Sequence, residues 1–400
     1  MKRTYSFLLL AAIGTASTFA QTGSGFIGNG YYRIKNYKTD RYIYVTDNRD
    51  HYDKSRDKED FQAIQLWKDI DRAIPSPASV IYIELISGNN NSGTFDLKAQ
   101  GTGVHSLTGY YVGVVRLRNK TYEVSASASG VTKYLNDKEQ SSRAQGKMGT
   151  WTEGDTSYRQ WVVDKITTDH ATNYVGIKPT IQIDGTYYKP FYASFPFRAA
   201  SANMHIYYIE TIKSKKYAMA KEIVGDVPAA TPVLIECASA SPSENRIELL
   251  TSTSATVSGN KLGGTFFCNP DRPQASPDAY TVFNASTMRV FSVVDGELVL
   301  TNDGTGRVER VTAIDWSTFE DIDLDCIPAN TSYMKADSQT AEILTVVLPG
   351  MGVNDIIKDS TPGVEGVYSI SGARLRATND VEGLPAGMYI VGGKKVAVNN

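Results

Sequence analysis

The sequence predicts an all-β fold, and three observations carry the prediction. Tyrosine is the dominant aromatic, with 24 residues against 13 Phe and 4 Trp, and with Val and Thr it belongs to the set that packs well on pleated, half-buried surfaces. The 33 glycines supply tight turns between short runs. Nowhere does an apolar stripe with helical spacing continue beyond about two turns. A chain of 400 residues with 41% hydrophobic content also exceeds what one core holds, so two or three domains are expected.

Charge excludes one function class early. With 41 basic and 43 acidic residues the net charge is -2, and no long segment is strongly basic, so the face that a nucleic-acid binder needs to displace counterions is missing. The acidic excess is equally too small for a disordered acidic chain.

Residues 1–20 read as a signal peptide: Lys2 and Arg3 precede the apolar run Phe7 to Ile13, and Thr18-Phe19-Ala20 offers a small-residue cleavage site before Gln21. The run is too short to span a bilayer, so no transmembrane segment is expected. The expected location is secreted, extracellular or at the outer-membrane surface, with the periplasm as the other compartment. Export makes the 3 cysteines informative. Cys237, Cys268 and Cys326 lack CxxC spacing, lie in apolar or β-like contexts, and read as buried free thiols. His51, His105, His170 and His205 all precede them, which argues against a Cys–His nucleophile pair.

After a Gly-rich lead, Tyr31 to Val45 reads as two alternating strands around a polar turn. A charged loop is expected from Asp47 to Asp60, and Phe61 to Trp67 closes the unit. Further strands are expected at 80–86, 93–99, 110–117, 122–126, 133–135, 149–151 and 160–163. Three passes of roughly 45 residues imply an internal threefold repeat.

Tyr32-x-Ile34-x-Asn36, then Tyr42-Ile43, then Gln65-Leu66-Trp67, echoed by Gln160-Trp161, resembles the ricin-type β-trefoil, whose repeats end in a Gln-x-Trp signature. The resemblance covers residues 26–172. It implies that Gln65, Trp67, Gln160 and Trp161 build the shared core, and that carbohydrate is the ligand class. The family's sugar-contacting Asp falls where this chain has Tyr44, Val45 and Thr46, with Asp47 and Asn48 adjacent. A sugar site also wants an exposed ring beside short polar groups. Trp151 in Gly149-Thr150-Trp151-Thr152-Glu153-Gly154-Asp155, with Asp155 close by, is the leading platform, ahead of Tyr110 and Tyr111. Asp47, Asn48, Trp151 and Asp155 are therefore the expected carbohydrate-binding residues.

Residues 174–348 continue as short strands and are expected to form a β-sandwich domain. Asp184-Gly185 between two alternating runs is a hairpin signal, as is Asp295-Gly296. Strands are also expected at 206–212, 233–236, 246–250, 280–283, 289–294 and 297–300. One element recurs: Pro228-Ala229-Ala230-Thr231 and Pro328-Ala329-Asn330-Thr331 each precede an apolar strand, and the pattern resembles β-sandwich modules of secreted bacterial proteins. Glu320-Asp321-Ile322-Asp323-Leu324-Asp325 has carboxylates at alternate positions, but Ile, Leu and the missing Gly fit a strand with one acidic face better than a calcium loop.

Residues 349–363 read as a linker, in which Asp359-Ser360-Thr361 resembles a short O-glycosylation acceptor. Residues 364–400 follow as short strands with turns at Ser371-Gly372, Pro385-Ala386-Gly387 and Gly392-Gly393, a small β-sandwich-like module. Gly366-Val367-Tyr368-Ser369-Ile370 and Gly387-Met388-Tyr389-Ile390-Val391 within it resemble the C-terminal sorting domain of type IX secretion cargo, which implies the secretion machinery as a partner.

No phosphate-binding loop, dinucleotide glycine motif, His-Glu-x-x-His or Gly-x-Ser-x-Gly occurs. No cofactor, metal site or catalytic residue is therefore expected. The functional expectation is a non-enzymatic secreted or surface-displayed protein that binds glycan or another cell-surface ligand through the trefoil. The alternatives are a hydrolase of glycans or peptides carrying accessory domains, and an adhesive or structural surface protein without a small ligand.

Overall fold

The structure is a computed structural model. It describes residues 23–45, 52–53, 58–59, 64–67, 70–100, 110–116, 120–128, 131–137, 145–149, 156–268, 280–315, 318, 320–349, 366–369, 374–391 and 394–398. Among them strands dominate, and helix is confined to short pieces such as Ile70–Ala73 and the single turn Pro77–Ser79. The all-β expectation is met. The signal segment, most of the linker and residues 150–155 lie outside the described residues.

In the N-terminal unit the strands used below are β1 (Gly30–Asn36), β2 (Tyr42–Val45), β3 (Ile64–Trp67), β4 (Ile81–Asn89), β5 (Ser92–Lys98), β6 (Tyr110–Arg116), β7 (Tyr122–Ala128), β8 (Val131–Asp137), β9 (Gln145–Gly149) and β10 (Gln160–Lys165). Antiparallel pairing runs β1–β4–β5–β6–β7–β10 and returns from β10 to β1, a closed ring with no open edge. The pairs β2–β3 and β8–β9 are set off this ring, attached to β1 and β7. The expected loop 47–60 contains a short ribbon of Tyr52–Asp53 against Lys58–Glu59.

Alternation decides which side chains fill the ring. Tyr32 and Ile34 of β1, Ile81 and Ile83 of β4, Phe95 and Leu97 of β5, Tyr122 and Val124 of β7, and Trp161 and Val163 of β10 share one core. Phe26 joins them from the Gly-rich lead, stacked on Phe95 at 4.7 Å between ring centroids and edge-on to Tyr122 at 4.6 Å. The lead is thus part of the core. Its Gly25 has φ +72, and a Cβ there would stand 2.6 Å from the Tyr122 hydroxyl, so glycine is required twice over.

The second unit is β-sandwich-like. Its large sheet has the order Ile181–Ile183, Thr186–Phe191, Val233–Cys237, His205–Lys213, Tyr217–Glu222, Ile343–Val347, Glu297–Thr301, Met288–Val294, Thr331–Lys335 and Leu262–Thr265. Pairing is antiparallel except where Tyr217–Glu222 meets Ile343–Val347. The sheet curls so that Tyr207, Leu234, Phe291, Leu300, Met334 and Leu344 from separate strands enclose one core. A three-stranded sheet of Val175–Gly176, Arg246–Leu249 and Phe197–Ala199 covers the other face over Phe191, Ile206, Val233 and Ile235. That is why Val233-Leu234-Ile235 reads as an unbroken apolar run: both faces of the strand are buried.

Turn chemistry holds at the two Asp-Gly hairpins that the sequence marked, while the turns expected at Ser371-Gly372 and Gly392-Gly393 lie outside the described residues. Asp184 and Gly185 have φ of 46 and 83, and Asp295 and Gly296 have 52 and 78, the paired positive values of a primed hairpin turn. The recurring Pro-Ala-x-Thr element repeats in backbone as well, with Ala230 at φ 54 and Asn330 at φ 55 before the strands Val233–Cys237 and Thr331–Lys335. Residues 280–283 depart from expectation, forming a single bridge of Val282 to Cys326 in place of a strand. Glu320–Cys326 is a strand whose Asp323 and Asp325 face Thr312 and Arg310 on Glu309–Asp315, opposite charges meeting across the ladder. Residues 366–398 contain four antiparallel strands in the order Arg374–Arg376, Val367–Ser369, Gly387–Val391, Lys394–Val398.

The two larger units pack together. Tyr31 of β1 meets Phe195 at 5.8 Å and donates its hydroxyl to the Leu250 carbonyl, while Asn330 donates to the Gln100 amide oxygen. The expected boundary at 172–174 lies in a segment held from both sides, since Arg246 donates to the Thr168 and His170 carbonyls and stacks over Tyr174 at 3.8 Å.

All three cysteines are buried and unbridged. Burial pushes the Cys237 thiol up to about 12 and the Cys326 thiol up to about 11, and pushes Cys268 upward, the last aided by Glu309, which accepts its hydrogen bond at 3.3 Å. An unfolded thiol ionises near pH 8.5, so raised folded values stabilise the protein below that pH, and the contribution is lost as pH rises from there toward about 11–12. Two measurements check this. Folded protein at pH 8 should leave all three thiols unlabelled by iodoacetamide over an hour, with full labelling in guanidinium. Its midpoint of unfolding should fall between pH 8 and 10; rapid labelling of the folded chain would contradict the burial.

Candidate functional site

The expected sugar-binding residues Asp47, Asn48, Trp151 and Asp155 lie outside the described residues. Gln65 and Trp67 stand on β3 opposite Tyr44 and Tyr42, with side chains likewise outside the description, as are those of Tyr110 and Tyr111 on β6. Trp161 is fully buried in the ring core and donates its indole N–H to the Leu135 carbonyl at 3.0 Å. Gln160 beside it is half-buried and pairs with Glu123 in register. Trp161 is a core residue.

What the fold does assemble is a cleft of about 390 Å³ on the flank of the barrel, near the lower end of the range of roughly 300–1,000 Å³ for ligand sites. Three parts build it. The outward faces of β1, β2 and β10 give Arg33, Lys35, Tyr42 and Asp164; the lead gives Ser24 and Ile27; the loop after β10 gives Thr167, His170, Thr172 and Asn173.

The floor is the most unusual part. Arg33 alternates with Tyr32 and Ile34 and so points out of the barrel, yet the segment 73–79 and residues 173–174 close over it to leave 1% exposure. Each of its five N–H groups has a partner: Nε donates to Ser79 Oγ at 3.0 Å, Nη1 to Asn173 Oδ1 at 2.9 Å and the Tyr174 carbonyl at 2.7 Å, Nη2 to the Ala73 and Ile74 carbonyls at 3.1 and 3.2 Å. Every one of these acceptors is neutral. Burial accordingly pulls the guanidinium down to about 10.

The walls are polar with two apolar surfaces. Lys35 pairs with Asp40 at 2.8 Å and lies 5.8 Å from the Tyr42 ring centroid. Asp164 accepts the Ser24 amide at 2.9 Å, and its other oxygen lies 3.7 Å from His170 Nε2. His170 Nδ1 accepts the backbone amides of Thr172 at 3.1 Å and Asn173 at 2.8 Å, which places the ring proton on Nε2, toward Asp164. Asn173 in turn donates to the Asp164 and Lys165 carbonyls, so the loop carries the histidine and locks the arginine with one set of bonds. Ile27, 57% exposed, and the half-buried Tyr42 supply the apolar surfaces.

Sequence reasoning missed this site for a definable reason. In Tyr31-Tyr32-Arg33-Ile34-Lys35 the outward Arg reads as a solvated residue, and nothing local announces that segments 40 and 140 residues away cover it. The available signal was the polar cluster Thr167 to Asn173 directly after a strand ending in Asp164 and Lys165.

No protein-family model matches the chain, and no curated protein matches it either. Among the described residues no helix is long and apolar enough to cross a membrane.

Proposed function

We propose that the chain is a non-enzymatic exported protein whose N-terminal unit is a ricin-type β-trefoil that binds carbohydrate at the barrel cleft. The reading of the unit as a trefoil is supported by the closed ring of β1, β4, β5, β6, β7 and β10 and by the strand pairs β2–β3 and β8–β9 set off it, the arrangement a trefoil needs in two of its three repeats. Among the described residues β5 and β6 pair directly where a third such pair would stand. In this reading residues 364–400 are the sorting module, and cell fractionation of a chain ending at residue 363 tests that part.

The observation that carries the ligand class is the cleft itself. A sugar ring offers one apolar face and a rim of hydroxyls, and here Tyr42 and Ile27 stand beside Asp164, His170, Thr167 and Thr172. The test is a glycan array read with the full chain and two variants. Asp164→Ala and Tyr42→Ala should each weaken the strongest signal by about tenfold, the size of one well-placed polar or stacking contact, with unchanged circular dichroism. Loss of binding in Trp151→Ala alone would move the site to the platform expected from sequence. A chain that binds no glycan refutes the reading.

A further inference from the structure

We infer that Asp164 and His170 form an acceptor–donor pair that seats one hydroxyl group of the ligand, so that the barrel cleft takes a saccharide ring that is neutral at that place and rejects its carboxylate and amine forms; this rests on the carbohydrate reading above and names the chemistry that selects within it.

The charges around the cleft are paired off. The buried Arg33 stands in register opposite Asp164, and Lys35 is matched by Asp40 at 2.8 Å. The Lys165 ammonium is turned away, its stem lying over Gly30 on the inward side of the strands that Tyr32 shares. His170 is a neutral ring, because its Nδ1 accepts the Thr172 and Asn173 amides and its one proton is on Nε2. The cleft therefore offers a ligand a pair of hydrogen-bonding atoms without an unmatched cation.

That pair is set at a separation its two atoms do not close by themselves. Asp164 Oδ2 and His170 Nε2 are 3.7 Å apart, beyond a hydrogen bond, while Asp164 Oδ1 already accepts the Ser24 amide. The two side chains are 27% and 38% exposed, and both line the cleft. An oxygen about 2.8 Å from each completes a bridge. It has to donate to the carboxylate and accept from the imidazole at one atom, and a hydroxyl does both. An ammonium has protons for Asp164 but no lone pair for the Nε2–H. A carboxylate has lone pairs but no proton for Oδ2, and it meets a like charge there. Both partners are fixed before the ligand arrives, Asp164 by the Ser24 amide and His170 by its two backbone bonds, so little ordering is left to oppose binding.

Ligand-observed NMR of the full chain tests this with the methyl glycosides of glucose, galactose and mannose, each beside its uronate and its 2-amino form, at about pH 6.5 where carboxylate and amine are both charged. A neutral glycoside should bind about fivefold tighter than both of its charged forms. Asp164→Asn keeps an acceptor for Ser24 and sets an amide NH2 where Oδ2 stood; it should weaken the neutral glycoside about tenfold and move the preference to the uronate. His170→Asn removes the Nε2–H; it should weaken the neutral glycoside severalfold and move the preference to the amine. Asparagine preserves the loop, because Asn36 and Asn89 in the same barrel already accept the amides two and three residues on, as His170 does. A charged form that binds as tightly as its neutral parent, or neutral binding unchanged by both variants, overturns the inference while the carbohydrate reading stands. Binding of none of the glycosides by a chain that binds glycans on the array also overturns this inference alone, and a chain silent in both assays overturns the carbohydrate reading with it.

Discussion

Arg33→Leu should unfold the flank of the barrel, lowering stability by about 3–5 kcal/mol, because it strands three buried carbonyls, the Asn173 amide oxygen and Ser79 without their donor. The buried charge is costly in the native state, because desolvation outweighs the attraction of Asp164 opposite it, but its removal is costlier, since the acceptors were folded around a planar fork of donors. Arg33→Lys should recover little of the loss: an ammonium has three donors at one point and cannot reach acceptors on segments 73–79 and 173–174 together. Hydrogen exchange would localise the effect. Amides of residues 70–80 and 167–177 should lose protection while Val233–Cys237 keeps it, and an Arg33→Leu chain within 0.5 kcal/mol of the parent would show that the network is decoration.

Trp161→Ala should have a comparable effect by a different route. The indole is fully buried between the strands of the ring, so its removal leaves a cavity as well as the lost transfer energy, together about 3–5 kcal/mol. Its N–H also leaves the Leu135 carbonyl unpaired, which loosens β8 from β10. In differential scanning calorimetry the transition that involves the barrel should drop by on the order of 10 °C. Trp161→Phe separates the two causes, since it keeps most of the volume and removes only the donor. An alanine variant that melts with the parent would place Trp161 outside the core and remove the main support for the trefoil reading of the Gln160-Trp161 signature.

These two residues also mark how far the sequence could be read. Trp161 follows a Gln in an alternating strand, and both the alternation and the family resemblance point inward. Arg33 obeys the same alternation and points outward, which is as much as a local pattern can say. The additional layer over it comes from segments distant in the chain, so its burial is a fact of topology. The hairpins at Asp184-Gly185 and Asp295-Gly296 were legible for the reason that Trp161 was: a positive φ is a property of two residues and needs no distant partner. Tyr217–Glu222 and Leu262–Thr265 were not legible, because Tyr217-Ala218-Met219-Ala220 carries a helix-compatible composition that pairing with Ile343–Val347 overrides, and Leu262-Gly263-Gly264-Thr265 lacks side chains to show a period.

By itself, then, the sequence determined the class of fold, the hairpin turns at Asp184-Gly185 and Asp295-Gly296, the inward place of Trp161 and the burial of the three thiols, since period-two alternation and turn preferences are encoded within a few residues. Only the tertiary structure decided that the strands close into a ring, that Phe26 from the glycine-rich lead fills it, and that Arg33, Lys35, Asp164, His170 and Asn173 meet around one cleft. Closure is set by which strands hydrogen-bond across more than 100 residues, as β1 does with β10, and a buried cation exists only where such pairing brings a second layer over an outward face.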